Sequence, residues 1–213
     1  GRMLVERTSE DDLNFGQFGN PFGGSMQAGM INLKKAIREA KTNEKIKGIY
    51  LNTGLILAGQ ANLLELREEL ESFKESGKFI LAYDEAYGEG GYYLASVADE
   101  IYLNPMGAID FNGLASEVIF LKGFFEKVGI KPVVFRVGEF KSAVEPYILE
   151  KMSPENRLQT EYFLEDINQE MIKAVADSRG LSLDSMATIN DQMLVREAED
   201  AVTYNLVNRL TYE

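Results

Sequence analysis

The chain lacks both histidine and cysteine among its 213 residues. Histidine is the commonest general base near neutral pH, and cysteine supplies thiolate nucleophiles and many zinc ligands. A Ser-His-Asp triad, a Cys-His pair, a histidine-ligated zinc site and a disulfide are therefore excluded within this chain. Any catalysis must use lysine, carboxylates, hydroxyls, tyrosine or backbone amides, and we expect no metal and no cofactor.

Basic clusters and long apolar runs are missing as well. The net charge is −12, from 34 acidic and 22 basic residues, which argues against a nucleic-acid partner because phosphate neutralisation needs lysine and arginine on one face. No run of about 18 apolar residues occurs, so no segment is predicted to span a bilayer, and we expect the chain itself to be soluble. Its start, Gly1-Arg2-Met3, resembles a trimmed terminus, and a removed export signal or membrane anchor would leave no trace.

Strand-like and helix-like segments alternate along the chain. Short apolar runs predict a buried strand at 48–51 and further strands at 79–83, 100–103 and 132–137. Apolar residues at helical spacing predict helices from Met30, over 63–73, 90–98, 118–128 and 154–178, and one more short helix in the tail. Such alternation is typical of βαβ crossovers and predicts an α/β fold.

The composition indicates an arm followed by one domain. Residues 1–28 are rich in glycine, asparagine and phenylalanine, and the pattern predicts a loop-like arm anchored by Phe15, Phe18 and Phe22. Residues 29–213 contain no linker, internal repeat or low-complexity tract. We therefore expect a single domain there, in a chain long enough to bury about 70% of its extended surface.

One lysine, Lys141, lies between a strand-like run and a proline, in Phe135-Arg-Val-Gly-Glu-Phe-Lys-Ser-Ala-Val-Glu-Pro-Tyr147. A lysine in apolar surroundings loses its proton more easily, so Lys141 is a candidate general base. Lowering its pKa from about 10.4 to about 7–8 would cost roughly 4 kcal/mol. Glu145 would raise that pKa if it paired with Lys141 on a helix, although Pro146 makes a regular helix less favourable. An ordinary surface lysine is the alternative.

A glycine-rich turn, which begins at Glu89, joins a predicted strand to a predicted helix. Backbone amides at such a turn stabilise an anion, and serine hydrolases present their serine there. Here the residue expected to be exposed is Glu89, a poor nucleophile for acyl transfer. The candidate substrate-binding residues are Gly90, Gly91 and Tyr92 at this turn, with Gly59 in the loop after the first predicted strand. The alternative is that the glycines only permit close packing of helix on strand.

Three segments resemble the signal peptide peptidase A (protease IV) family, in its long, two-repeat type. They are Val137-Gly-x-x-Lys-Ser-Ala-Val-Glu-Pro146 followed by Met152-Ser-Pro154, Gly90-Gly-Tyr-Tyr-Leu-Ala-Ser-Val-Ala-Asp99, and Pro105-Met-Gly-Ala-Ile-Asp-Phe-Asn-Gly113. The likeness runs over about residues 24–210 and is most specific in the lysine segment. It therefore favours a general base over an ordinary surface lysine at Lys141.

The resemblance implies a ClpP/crotonase-type fold of stacked ββα units with a C-terminal helical oligomerisation element. It implies a serine endopeptidase with a Ser/Lys dyad, in which Lys141 of the N-terminal repeat is the general base. The serine would come from a second repeat outside this chain, because Glu89 stands where that repeat has serine. The whole protein would be a tetramer anchored in the bacterial inner membrane that degrades cleaved signal peptides, and this fragment alone would be inactive.

Two other functions remain open. The chain is a non-catalytic module for oligomerisation and peptide gripping if its aromatic residues hold extended apolar peptides. Alternatively, it is a crotonase-like acyl-CoA enzyme with Glu89 as its acid and base, although no basic phosphate site is evident.

Overall fold

The computed structural model describes residues 2–5, 26–54, 56–135 and 142–213. The chain forms two compact units: unit 1 comprises residues 1–113 and 171–213, and unit 2 comprises residues 114–170. In chain order the strands are β1 (Arg2–Val5), β2 (Met26–Gly29), β3 (Gly48–Leu51), β4 (Ile56–Leu57), β5 (Phe79–Tyr87), β6 (Glu100–Ile109) and β7 (Arg209–Leu210). The helices are α1 (Met30–Thr42), α2 (Gln60–Lys74), α3 (Glu89–Ala95), α4 (Lys122–Lys127), α5 (Glu145–Ile148), α6 (Pro154–Arg179), α7 (Leu183–Asp191) and α8 (Ala198–Thr203).

Unit 1 contains two parallel sheets. Their strand orders are β2-β1-β4 and β3-β5-β6-β7, and each adjacent pair is parallel. Parallel strands need crossover connections, and α1, α2 and α3 lie between successive strands as such connections require. This confirms the predicted α/β class.

Residues 2–5 and 26–28 differ from the predicted loop-like arm, because they belong to strands. Arg2 pairs with Met26 and Val5 with Gly29 in one parallel ladder. The glycine- and phenylalanine-rich composition of the segment hides this pairing, which depends on partners more than 20 residues away. The aromatic anchors of the arm, Phe15, Phe18 and Phe22, lie outside the described residues.

The strand at 48–51 is less buried than predicted. β3 lies at the edge of its sheet, and Tyr50 is 54% exposed. The strands β5 and β6 are longer than their first apolar runs, since each contains polar residues and pairing continues beyond an irregularity in the ladder between Asp84 and Ala86. Backbone pairing with a neighbouring strand therefore extends both beyond the hydrophobic pattern.

The core of unit 1 forms where the helical stripes meet the larger sheet. The predicted stripe of α2 is confirmed, with Leu63, Leu66, Leu70 and Phe73 all buried. The turn after α2 contains Gly77 at φ +78°, a left-handed conformation that favours glycine.

The tail contains two short helices, α7 and α8, where one was predicted. Ser182 caps α7 by accepting a hydrogen bond from the N–H of Ser185 at 3.1 Å. Glu197 and Asp200 form a capping box that starts α8. These local caps define two separate starts, and a single apolar stripe does not reveal them.

Unit 2 departs most from the predictions. The predicted helix at 118–128 is shortened to α4, and residues 132–135 of the predicted strand at 132–137 are not in a strand. Val133 and Phe135 are exposed, so their alternating pattern has no sheet to pack against. Residues 136–137 of that strand lie outside the described residues.

Unit 2 also has no apolar core among its described residues, 114–135 and 142–170. The two buried residues there are both polar, Glu145 and Asn168. α4 and α5 are joined by a hydrogen bond from the Leu121 N–H to the Pro146 carbonyl at 2.7 Å and by stacking of Phe125 on Tyr147. A unit of this size without buried apolar side chains lacks the main driving force of folding.

Two features of α6 complete the fold. It begins as predicted at Ser153-Pro154, where the Ser153 hydroxyl accepts a hydrogen bond from the Asn156 N–H, and it ends at Gly180 with φ +64°. Among the described parts of the chain, neither α6 nor any other helix combines the length and the apolar character that crossing a membrane requires.

Candidate functional site

The candidate site lies in unit 1, where the carboxyl ends of β3, β5 and β6 meet. The segments that follow these strands contain Thr53 and Gly54, then Glu89 at the start of α3, then Asn112 and Gly113. Ligand sites of open parallel sheets lie at this edge, because the connections to helices diverge there.

Asp84 holds the loop that follows β3. Its Oδ2 accepts hydrogen bonds from the Thr53 hydroxyl at 3.0 Å and from the Gly54 N–H. Asp84 is buried, so these charge-assisted bonds form away from bulk water and are stronger than neutral ones. The loop is therefore fixed beside the first turn of α3.

The glycines at the start of α3 are required by packing. A Cβ at Gly91 would lie 3.0 Å from Thr53 Oγ1 and 3.2 Å from the Gly54 carbonyl oxygen. A Cβ at Gly90 would lie 2.9 Å from a methyl carbon of Leu63. These contacts favour the alternative in which the glycines permit close approach. A role in substrate binding stays a prediction.

Gly59 and Tyr92 lie in contrasting surroundings. Gly59 is the residue before α2, and a Cβ there would meet nothing within 4 Å. Tyr92 is completely buried, and its hydroxyl donates a 2.7 Å hydrogen bond to the Leu206 carbonyl. Burial raises the pKa of Tyr92, and its ring packs edge-on against Tyr87 and Phe111. The side chain of Tyr92 thus belongs to the core.

Glu89 is more enclosed than the sequence predicts. Its Oε2 accepts a 3.2 Å hydrogen bond from the Asn112 N–H, while its Oε1 is buried without a hydrogen-bond partner in the described part of the chain. Burial raises the pKa of Glu89 to about 7, and the charge of Asp110 adds to this rise. Backbone hydrogen bonds from Asn112 and Gly113 oppose it. The side chain of Glu89, expected to be exposed, is half-buried, because the segment after β6 covers part of it.

Sequence reasoning missed Asn112 and Gly113 as partners of Glu89. They are 23 and 24 positions further along the chain, and no local spacing links them to the turn. The signal that points to them is the parallel alignment of β5 with β6, in which Tyr87 pairs with Ile109. A residue just after one strand then lies beside the residues just after the other.

Lys141, the predicted general base, lies outside the described residues. The next described residues form a 3-10 turn over Ser142–Val144, which leads into α5. Pro146 stands in the first turn of α5, where a missing N–H is tolerated, so it does not prevent this short helix. The pairing of Lys141 with Glu145 on a helix stays untested.

Glu145 is buried in unit 2 and organises the start of α6. It accepts hydrogen bonds from the Ser153 N–H at 3.1 Å, the Ser153 hydroxyl at 2.6 Å and the Asn156 side-chain amide at 2.9 Å. Its carboxyl therefore holds the segment that follows Lys141 against the first turn of α6. The local sequence pattern suggested Glu145 only as a partner of Lys141.

Fold and site together define a parallel α/β protein with a carboxylate, and no hydroxyl, at the strand-to-helix turn. Residues 72–213 match peptidase family S49, and the chain belongs to this family. The resemblance to signal peptide peptidase A is thereby confirmed.

Three curated relatives are similar to the chain. The Haemophilus influenzae protein "Protease 4" is 36% identical over 150 residues, which cover 70% of this chain and 24% of that protein. "Protease 4" of Salmonella typhi is 36% identical over 157 residues, 72% of this chain and 25% of that protein. The Arabidopsis thaliana "Serine protease SPPA, chloroplastic" is 31% identical over 175 residues, 82% of this chain and 26% of that protein. The chain thus spans about a quarter of the length of these relatives.

Proposed function

We propose that this chain is the lysine-donating repeat of a serine endopeptidase that degrades cleaved signal peptides. Lys141 would be the general base, and the nucleophilic serine would come from a second repeat outside this chain. Membership of peptidase family S49 and similarity to proteins named Protease 4 and serine protease SPPA support the peptidase class.

The observation that carries the proposal is the carboxyl group at the strand-to-helix turn. Serine hydrolases place a hydroxyl at such a turn, where backbone amides stabilise the oxyanion. Glu89 has no hydroxyl, one of its oxygens accepts a backbone hydrogen bond, and the other is buried. A carboxylate so enclosed is a poor acyl-transfer nucleophile, so this turn does not supply one.

The proposed chemistry assigns one proton transfer to this chain. Neutral Lys141 would take the proton of the serine hydroxyl as its oxygen attacks the peptide carbonyl, and would return that proton to the leaving amine. Water would then release the acyl group from the serine. The lysine must be largely neutral near pH 7, which an apolar enclosure by another repeat would favour.

The exposed apolar surface of unit 2 supports assembly with another repeat. Five aromatic side chains are between 44% and 94% exposed there: Phe124, Phe135, Tyr147, Tyr162 and Phe163. At about 200 Å² for each full side chain, they expose roughly 660 Å² in total. We propose that a second repeat covers this surface in a membrane-anchored tetramer of the bacterial inner membrane, with a ClpP/crotonase-type fold in each repeat.

The test is hydrolysis of a hydrophobic peptide ester by the full-length protein and by the isolated chain. We expect Lys141→Ala to lower kcat by at least about 100-fold, the size of a general-base contribution. The matched control is Lys131→Ala, which removes an exposed lysine of unit 2. Full activity of Lys141→Ala would refute the base assignment, and activity of the isolated chain would refute the half-site.

A non-catalytic gripping and oligomerisation module is the second candidate, and the exposed aromatic side chains of unit 2 favour it. This function predicts that the full-length protein binds an apolar peptide equally well with and without Lys141→Ala. It also predicts that a fluorophosphonate probe labels no serine of the full-length protein. Labelling that is lost in Lys141→Ala would exclude this candidate.

A further inference from the structure

Asn112 is the only asparagine in the sequence that is followed by glycine. In an Asn-Gly pair the glycine nitrogen can attack the side-chain amide carbon of the asparagine, because glycine has no Cβ to hinder the approach. Asn112 and Gly113 are both half-buried, so water can reach the pair. The segment that follows β6 therefore contains the reactants for spontaneous deamidation.

The reaction needs only these two residues and water. The Gly113 nitrogen bonds to Cγ of Asn112 and loses its proton, while the Cγ–Nδ2 bond breaks and Nδ2 leaves as ammonia with that proton. Water then opens the cyclic imide at one of its two C–N bonds and yields aspartate or isoaspartate. The rate depends on how freely the Gly113 nitrogen loses its proton and the Asn112 amide turns toward it.

Both reacting groups are held by carboxyl groups of unit 1. Nδ2 of Asn112 donates a 2.7 Å hydrogen bond to Oδ1 of Asp110, and the Asn112 N–H donates one to Oε2 of Glu89 at 3.2 Å. The Gly113 N–H also donates to the Glu89 carboxyl group. These bonds fix the amide that must turn and the nitrogen that must attack. Reaction therefore requires local opening of the segment.

The residues before Asn112 keep the segment closed. The Asp110 N–H donates a 2.7 Å hydrogen bond to the Tyr87 carbonyl. The next residue, Phe111, is buried, and its carbonyl accepts a 3.2 Å hydrogen bond from the Asn190 side chain. Opening at Asn112 must therefore work against several contacts within unit 1.

The charges of Glu89 and Asp110 add to this protection. Loss of the Gly113 proton leaves negative charge on its nitrogen, and neighbouring carboxylates disfavour that charge. A hydrogen bond donated by the Gly113 N–H also stabilises the form that retains the proton. Both effects slow the attack while the segment stays closed.

We propose that Asn112 is a site of spontaneous deamidation, which hydrogen bonds to Glu89 and Asp110 keep slow in the folded chain. The reaction replaces the Nδ2 donor with a carboxylate oxygen beside Asp110. Two like charges then face each other where a hydrogen bond had been, and the segment loosens. This modification involves unit 1 alone and is independent of the proposed peptidase function.

The test follows deamidation of the full-length protein in mildly alkaline buffer, by mass spectrometry of the tryptic peptide 79–122. The other asparagine of this peptide, Asn104, precedes Pro105, whose nitrogen has no proton to lose. A mass gain of the peptide therefore reports Asn112. The gain in the folded wild-type protein should be at least about 10-fold slower than in the same protein unfolded in urea.

Two variants remove the protecting groups one at a time. Glu89→Ala should raise the rate in the folded protein about 10-fold, the effect of losing a hydrogen bond to a charged group. Asp110→Ala frees the Asn112 side chain and should raise the rate about threefold, because this bond is exposed to solvent. The matched control, Glu44→Ala, removes an exposed carboxylate of unit 1 and should leave the rate unchanged.

Circular dichroism before incubation distinguishes a folded variant from an unfolded one, and Asp110→Ala decides the test if Glu89→Ala does not fold. Wild-type rates in the folded variants would overturn the proposal. Equal rates in folded and unfolded wild-type protein would overturn it as well, because the fold would then give no protection.

Hydrogen–deuterium exchange tests the effect of the modification on the segment. Asn112→Asp reproduces one product of the reaction and should raise deuterium uptake at residues 110–113 of the full-length protein. The matched control is Asn32→Asp, at an exposed position of α1, and it should leave uptake at residues 110–113 unchanged. Wild-type uptake in Asn112→Asp would refute the loosening.

Discussion

The charge of Glu89 should make the stability of the chain depend on pH in a way that Glu89→Gln removes. Burial raises the pKa of Glu89 from 4.5 to about 7 in the folded protein. Between these values the folded chain retains a proton that the unfolded chain releases, so the free energy of unfolding falls as pH rises and becomes level above about pH 7. Glutamine has no proton to release, and the variant lacks this contribution.

The magnitude follows from the width of the pH interval. Between about pH 5.5 and about pH 7, the full effect of the raised pKa is about 2 kcal/mol at 1.36 kcal/mol for each pH unit. Solvent reaches part of the Glu89 side chain and screens its charge, so we expect about 1–1.5 kcal/mol. For a chain of this length, a change of about 1–1.5 kcal/mol in the free energy of unfolding corresponds to a shift of roughly 2–6 °C in Tm.

The assay is urea unfolding of the wild-type chain and of Glu89→Gln at about pH 5.5 and about pH 8. The variant should gain about 1–1.5 kcal/mol relative to wild type between the two pH values. Glu117→Gln, at an exposed position, should show no such gain. Parallel pH dependence for wild type and Glu89→Gln would refute the reasoning, because it would mean that Glu89 titrates normally.

Two further predictions concern the packing that surrounds the site. Gly91→Ala places a methyl group 3.0 Å from Thr53 Oγ1 and should cost about 1–3 kcal/mol of unfolding free energy. Its control is Gly123→Ala, whose methyl group would meet nothing within 4 Å. In denaturant titrations this control should be neutral or slightly stabilising. Arg67→Ala removes a buried guanidinium that bonds to the Ser96 hydroxyl at 2.8 Å and the Ala174 carbonyl at 2.9 Å, and should lower the free energy of unfolding by about 3–5 kcal/mol. Its control, Arg157→Ala, breaks one exposed ion pair and should cost less than about 1 kcal/mol; equal losses in each matched pair would contradict these predictions.

Periodic apolar patterns predicted the elements of unit 1 that pack on a core. The α2 stripe of Leu63, Leu66 and Leu70 is buried as predicted, because a helix with one apolar face has one stable way to bury it. The alternating apolar pattern in unit 2 did not predict its structure correctly, because Val133 and Phe135 are exposed there. An apolar pattern identifies an element only when a surface exists for it to pack against.

At the turn around Glu89, the sequence established some properties and the tertiary structure others. Composition excluded histidine and cysteine chemistry, and the sequence identified the residue at the turn as glutamate. Neither could show whether Gly90 and Gly91 serve a ligand or packing, since the deciding contacts come from Leu63 and Thr53 on other elements.

The sequence by itself determined the family, the α/β class and the identity of the group at the turn, because these depend on residue types and local order. Only the tertiary structure decided the burial and the pKa of the Glu89 carboxyl group. Glu89 is enclosed because parallel pairing of β5 with β6 brings Asn112 over it, and its raised pKa follows from lost hydration. Desolvation is a property of neighbours in space, and those neighbours lie more than 20 residues away along the chain.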